Sequence, residues 1–165
     1  MKRIGILSDT HHSIPKQLQE FFKDVDEIWH CGDIGSAQIA DALAAFKPLR
    51  AVYGNIDGGE LRRRYPEFLS FNCEDVRVLM THIGGYPGKY DPWARVMIEK
   101  EKPGLFVCGH SHILKVIYDQ KYELLHINPG AAGKYGLHQV ITLVRLVIDG
   151  KNMKDLEISE IKKSG

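Results

Sequence analysis

Seven side chains of metal-ligand type stand just beyond short apolar runs: Asp9 and His11, Asp33, Asn55, His82, and the pair His110 and His112. They offer oxygen and imidazole nitrogen and no sulfur, a set that suits Mn²⁺, Fe²⁺, Zn²⁺ or Co²⁺ better than Ca²⁺ or a thiolate zinc site. Seven donors exceed what one ion usually draws from side chains, and two ions sharing a carboxylate solve the excess. Metals about 3.5–4 Å apart form a recurrent clamp for hydrolysing phosphate esters. On an extended backbone the Asp-x-His and His-x-His spacings turn both side chains the same way, which allows one pair to grip one ion. Gly32, Gly54 and Gly109 each precede a candidate ligand and allow the chain a sharp exit from a strand.

For seven residues so far apart to meet, the runs before them must be parallel strands whose carboxyl ends share one sheet edge. Strands are predicted at residues 3–8, 28–31, 49–53, 76–81 and 105–108. Between them, Pro15 opens a segment with Leu18, Phe21 and Phe22 on one face, and Ser36 can cap a helix carrying Ile39, Leu43 and Phe46. Asp91-Pro92 begins a third helix with a stripe of Trp93, Val96 and Met97. Beyond Gly109 the pattern changes to β-runs joined by tight turns, at 114–118, 122–127, 140–148 and 153–158, which predicts an antiparallel second half. The expected fold class is α/β, two face-to-face β-sheets flanked by helices, as one domain over residues 1–165.

Bulk properties exclude several partners. Lys+Arg 22 against Asp+Glu 21 gives a net charge of +1, with no strong nucleic-acid signal. The four-residue apolar stretch near the amino terminus is too short for a secretory core or a membrane span, so a cytoplasmic location is expected. Cys31, Cys73 and Cys108 show neither close pairing nor CxxC spacing and read as small buried hydrophobes.

Taken together, DTH at Asp9 to His11, GD at Gly32-Asp33, GN at Gly54-Asn55, TH at Thr81-His82 and GHSH at Gly109 to His112 resemble the signature of the calcineurin-like metallophosphoesterases. The resemblance runs from Met1 to about Gly136. Small size and the NPG turn at Asn128 to Gly130 are similar to the compact prokaryotic phosphodiesterases of that superfamily, relatives of a retromer subunit. The resemblance implies a four-layer sandwich and two divalent metal ions, Mn²⁺ favoured, with Fe²⁺, Zn²⁺, Co²⁺ or Ni²⁺ as other occupants. It also implies that Asp9, His11 and His112 hold one ion, that Asn55, His82 and His110 hold the other, and that Asp33 bridges them. A metal-bridging hydroxide would attack a small-molecule phosphate ester, most simply a diester. The alternatives are a phosphomonoesterase with the same site and a non-catalytic protein-interaction scaffold. Many members carry His directly after the Asn of the GN motif, where this chain has Ile56. The leaving-group acid is therefore unassigned, with His12 the candidate.

Other residues have plainer readings. His30 and His126 lie in apolar runs and read as core or as support for the ligands, His138 as a loop residue, and Trp29 and Trp93 as core. Arg62-Arg63-Arg64 reads as a solvated helix face, and Asn128 as a turn residue able to support the cluster. Residues 83–90 form a long loop expected to wall the pocket. Strands of the second half offer edges for a possible homo-oligomer. Neither the HxHxDH motif of metallo-β-lactamase-like hydrolases nor a DxDx(T/V) loop of aspartate-nucleophile phosphatases is present.

Overall fold

The computed structural model describes residues 1–163. Its strands are β1 (Lys2–Leu7), β2 (Glu27–His30), β3 (Leu49–Ala51), β4 (Phe68–Cys73), β5 (Val76–Thr81), β6 (Gly85–Tyr86), β7 (Lys89–Tyr90), β8 (Leu105–Val107), β9 (Leu114–Asp119), β10 (Leu124–Pro129), β11 (Val140–Asp149) and β12 (Asn152–Lys162). Helices are α1 (Leu18–Phe21), α2 (Ala37–Phe46), α3 (Gly59–Arg64) and α4 (Pro92–Glu101). One five-stranded sheet has the order β12-β11-β1-β2-β3 and the other β4-β5-β8-β10-β9.

The two sheets face each other across one core. Ile4, Ile6, Trp29, Cys31, Val144 and Leu146 from the first meet Val78, Met80, Leu105, Val107 and Ile127 from the second. Alternation does the rest, because the opposite faces of the same strands are also apolar. Leu7, Ile28 and Leu143 receive Leu18 and Phe22 from α1 and its C-cap, and Leu43 from α2. On the far side, Leu79, Phe106 and Leu124 receive Ala94 and Ile98 from α4. Helix, sheet, sheet, helix is the four-layer order expected from the sequence.

Several expectations are corrected. The second half is not one antiparallel meander. β10 pairs antiparallel with β9 but parallel with β8, and β11 crosses to the other sheet to pair with β1, so each sheet mixes both halves of the chain. Strand β4 is not among the predicted strands. It is an edge strand, only partly buried over 68–71 and exposed at Asn72, and lacks a clean alternation. The loop over 83–90 contains the hairpin β6-β7. The arginine run is an exposed helix face, as expected, in the last turn of α3.

Helix α4 starts as expected, with the Asp91 carboxylate accepting from the backbone N–H groups of Trp93 and Ala94. Its buried stripe is shifted by one residue, however. Ala94 and Ile98 point inward, while Trp93 is 72% and Val96 51% exposed, so Trp93 is not core. A small alanine at the contact lets the helix lie close to the sheet, and the bulky indole is left at the rim. Trp29 is fully buried, as expected.

Candidate metal centre

All seven candidate ligands lie along one edge of the paired sheets, each just past the end of β1, β2, β3, β5 or β8. Two clusters of donors result: Asp9 with His11 and His112, and Asp33 with His82 and His110. Asn55 joins the second, since its Oδ1 lies 3.1 Å from His110 Nδ1. The pair Asp9 and His11 serves one cluster, but His110 and His112 separate. The extended-backbone expectation fails there because the chain has left the strand. Asp9, His11, Asp33, His110 and His112 all have positive φ, between 54° and 74°. That left-handed region costs a residue with a Cβ of the order of 1 kcal/mol, least for Asp, Asn and His, and it turns the chain within one residue.

Each loop is held by its neighbours. The Asp57 carboxylate, buried, accepts from the backbone N–H groups of Ile34, Gly35 and Gly54, joining the turns that carry Asp33 and Asn55. A Cβ on Gly54 would run into Asp33, so only glycine lets these turns approach. His30 accepts from Gly32 N–H at Nδ1 (3.1 Å), and its Nε2 lies 3.0 Å from Thr10 Oγ1, which donates to Ile34 O. Burial pushes the His30 imidazole down to about 4, so it stays neutral and ties the first ligand turn to the second. Asn128 donates to Gly109 O and to Ser111 Oγ (both 3.0 Å) while accepting from Gly130 N–H. It is both a turn residue and a brace for the turn bearing His110 and His112.

At the centre, acceptors face acceptors. Asp9 Oδ2 is occupied by Ser8 Oγ–H (2.7 Å) and His110 N–H (3.1 Å), which leaves Oδ1 facing His112 Nε2 (3.3 Å), His82 Nε2 (3.8 Å) and His11 Nε2 (4.0 Å). Asp33 Oδ1 accepts from Ile56 N–H, and its Oδ2 lies 3.3 Å from His82 Nε2 and 3.6 Å from His11 Nε2, one donor from each cluster. His82 Nδ1 is 2.8 Å from the Cys31 carbonyl, so Nδ1 carries a proton and Nε2 is the ring nitrogen turned toward the carboxylates and left to meet a cation. Asp9 Oδ1, His11 Nε2 and His82 Nε2 are buried without a hydrogen-bond partner.

Orphaned buried acceptors are costly, and a cation among them satisfies all at once. The donor set therefore fits divalent metal ions. Protonation behaves accordingly. Burial alone would lower the His82 imidazole, but the Asp33 and Asp9 carboxylates outweigh it and raise it from its ordinary value. Burial raises Asp9, yet His112, His82 and the Ser8 hydroxyl bring it below its ordinary value. Burial also lowers His11, against the pull of Asp33 and Asp9.

His138, expected to be a simple loop residue, supports the first cluster. Its Nε2 lies 2.8 Å from the Gly133 carbonyl and its Nδ1 3.2 Å from His112 Nδ1. With the His138 Nε2–H donated to a carbonyl, its Nδ1 must accept, so His112 donates from Nδ1 and presents the Nε2 lone pair to the cluster. Burial lowers His138 and favours the neutral ring this relay needs. Nothing in local sequence marks it, because residues 130–139 reach the site only by the crossing from β10 to β11. His12 is exposed, and Ile56 is 44% exposed at the rim.

Mixed sheets packed face to face, with oxygen and nitrogen donors converging at one edge, define the class of metal-dependent phosphoesterases. A family model described as the calcineurin-like phosphoesterase superfamily domain matches residues 1–151, and the chain belongs to that superfamily. It is 30% identical over 164 residues to a probable metallophosphoesterase of Methanothermobacter thermautotrophicus, covering 94% of this chain and 90% of that one. It is also 27% identical over 152 residues to a phosphodiesterase of Methanocaldococcus jannaschii, covering 81% and 86%. Among solved structures, Vps29 of Entamoeba histolytica complexed with Zn²⁺ superposes with a TM-score of 0.76 at 15% identity, covering 97% and 98%, a likeness of fold. No described helix is long and apolar enough to cross a membrane.

Proposed function

We propose that the chain, as one domain, is a dinuclear-metal phosphodiesterase acting on a small-molecule phosphate ester. The observation that carries this reading is the pair of donor clusters joined through Asp33, with buried acceptors turned toward each other. Asp9, His11 and His112 would hold one ion, and Asn55, His82 and His110 the other, with Asp33 shared. When bound, two divalent cations, Mn²⁺ in our reading, supply an activated water as nucleophile and offset charge on the phosphoryl oxygens.

The chain's own residues do the positioning. Ser8 and the His110 N–H aim Asp9, Ile56 N–H aims Asp33, the Cys31 carbonyl aims His82, and His138 aims His112. A leaving oxygen still needs a proton, and Ile56 supplies none. His12, exposed beside the first cluster, is the residue we assign that task, and His12→Ala should slow alkyl diesters more than aryl ones; equal slowing of both refutes the assignment.

Two cavities flank the second cluster, one reaching Asn55 and His82 and the other His110, and room on both sides favours a diester over a monoester. A scaffold released from catalysis would be free to lose these donors, whereas all seven positions keep competent ligand types. Metal-stimulated hydrolysis of bis-p-nitrophenyl phosphate, abolished in Asp33→Asn, tests the reading. Absence of any metal-dependent hydrolysis across a panel of mono- and diesters would overturn it.

A further inference from the structure

The hairpin β6-β7 and the segment after His112 enclose a cavity of about 430 Å³ that opens at His110 and runs along the outer face of the second sheet. Its walls are apolar and accessible: Ile83 is 41%, Tyr86 44% and Ile113 62% exposed. Its floor includes His126, which projects from β10 on the same face as Leu124 and Asn128. His126 has no exposed surface, and neither of its ring nitrogens has a hydrogen-bond partner. The Tyr90 and Phe106 rings stand 6.1 and 5.7 Å away, so the imidazole sits among aromatic faces that give it nothing to bond. At the mouth, Lys115 Nζ lies 4.6 Å from the Tyr86 ring centroid and Lys89 borders the opening.

A buried imidazole with both nitrogens unpartnered is expensive unless something else meets it. Burial pushes His126 down to about 4, so at neutral pH it presents one donor and one acceptor and no charge. The wall is tied in place, with Tyr90 Oη–H donating to Asp119 (2.6 Å) and Asp91 N–H to Gly84 O (2.9 Å). A preformed apolar slot with one convergent polar group at its floor is the usual build of a small-molecule subsite.

We infer that this cavity seats one ester group of the substrate, a flat aromatic or heteroaromatic ring carrying a hydrogen-bonding atom that reaches His126, with Ile83, Tyr86 and Ile113 against its faces. The inference rests on the phosphodiesterase reading, because His110 is the corner the cavity shares with the metal cluster. Lys89 and Lys115 then add cationic charge on the side where the phosphate emerges.

Three non-hydrolysable probes test it: methylphosphonate, phenylphosphonate and 4-hydroxyphenylphosphonate, as inhibitors of bis-p-nitrophenyl phosphate hydrolysis by the metal-loaded protein. Phenylphosphonate should bind about tenfold tighter than methylphosphonate, and the hydroxyl should add a further few-fold. Tyr86→Ala and Ile113→Ala, both at exposed positions, should bring the phenyl-to-methyl ratio toward one. His126→Phe should cancel the gain from the hydroxyl and keep the gain from the ring. Independently of turnover, saturation-transfer NMR on metal-free protein should show the aromatic protons of 4-hydroxyphenylphosphonate receiving magnetisation, and Tyr86→Ala should abolish it.

Equal inhibition by all three probes, or a ratio unmoved by Tyr86→Ala and Ile113→Ala, would mean that the cavity holds only water and would overturn the subsite while hydrolysis stands. Loss of the phosphodiesterase reading has a different signature, no hydrolysis with any metal. In that case the NMR arm still decides the cavity.

Discussion

The two donor clusters differ in how firmly the chain holds them. Around Asp9, His11 and His112, burial and outer support are greatest: Asp9 is fully buried and His11 7% exposed, His30 and Thr10 tie the turns below, and His138 fixes the tautomer of His112. Around Asn55, His82 and His110, only His82 is buried, and the exposed Asn55 and His110, 3.1 Å apart, each border an open cavity. In the proposed enzyme the first half would retain its ion and the second would meet the substrate. Preorganisation by outer partners raises affinity, and exposure permits exchange.

That contrast can be broken experimentally. The largest effect is expected at the residue the halves share: Asp33→Asn should lower hydrolysis by about a thousandfold and metal content from two ions per chain toward one, read by metal analysis. Retention of both ions with activity near wild type would remove the bridge.

Next is acid. His30 sits neutral in the fold at about 4 against about 6.5 when unfolded, so the unfolded chain binds the extra proton. Stability is thus complete above pH 6.5 and falls as pH drops toward 4, by on the order of 3 kcal/mol from this group. Urea unfolding of metal-free protein at pH 7 and 4.5, in a His126→Phe background to remove the second buried histidine, measures it. Equal stability at the two pH values would show that His30 carries no such weight.

His138→Ala should weaken the tighter of two metal-binding steps by about 10–100-fold and leave the weaker step unchanged, as seen by calorimetry. If both steps weaken alike, the halves are not independent. The smallest effect belongs to Arg62, which donates to the carbonyls of Asp57 and Asn55 and stacks 4.6 Å over Tyr53. Arg62→Ala should raise KM by about two- to fivefold with little change in kcat, since exposed charged contacts contribute modestly.

The sequence carried the seven ligand types and the strands before them, because alternating apolar runs and strand-end donors are local signals. It carried the layers as well, since β1, β2, β5 and β8 are apolar on both faces. It did not carry β4, only partly buried over 68–71 and exposed at Asn72, nor the stripe of α4, where Ala94 rather than Trp93 meets the sheet. Asp57 and His138 were illegible for a different reason. Each bonds a near neighbour, Gly54 for Asp57 and Gly133 for His138, but also one more than 20 positions away, Ile34 and His112, that only the closed turns bring within reach. The extended-backbone reading in which His110 and His112 share one ion failed through backbone conformation, which the extended-strand rule does not describe.

The left-handed backbone at positions 9, 11, 33, 110 and 112 has a consequence for ancestry and engineering. Asp, Asn, His and Gly are the residues such a conformation tolerates best, so the alphabet at these sites is narrowed by shape before chemistry chooses from it. A descendant that had abandoned hydrolysis would keep drawing on the same few letters there. Asn55 and His82, free of that conformation, are where drift would first be visible, and a designer retiring the centre should begin with those two.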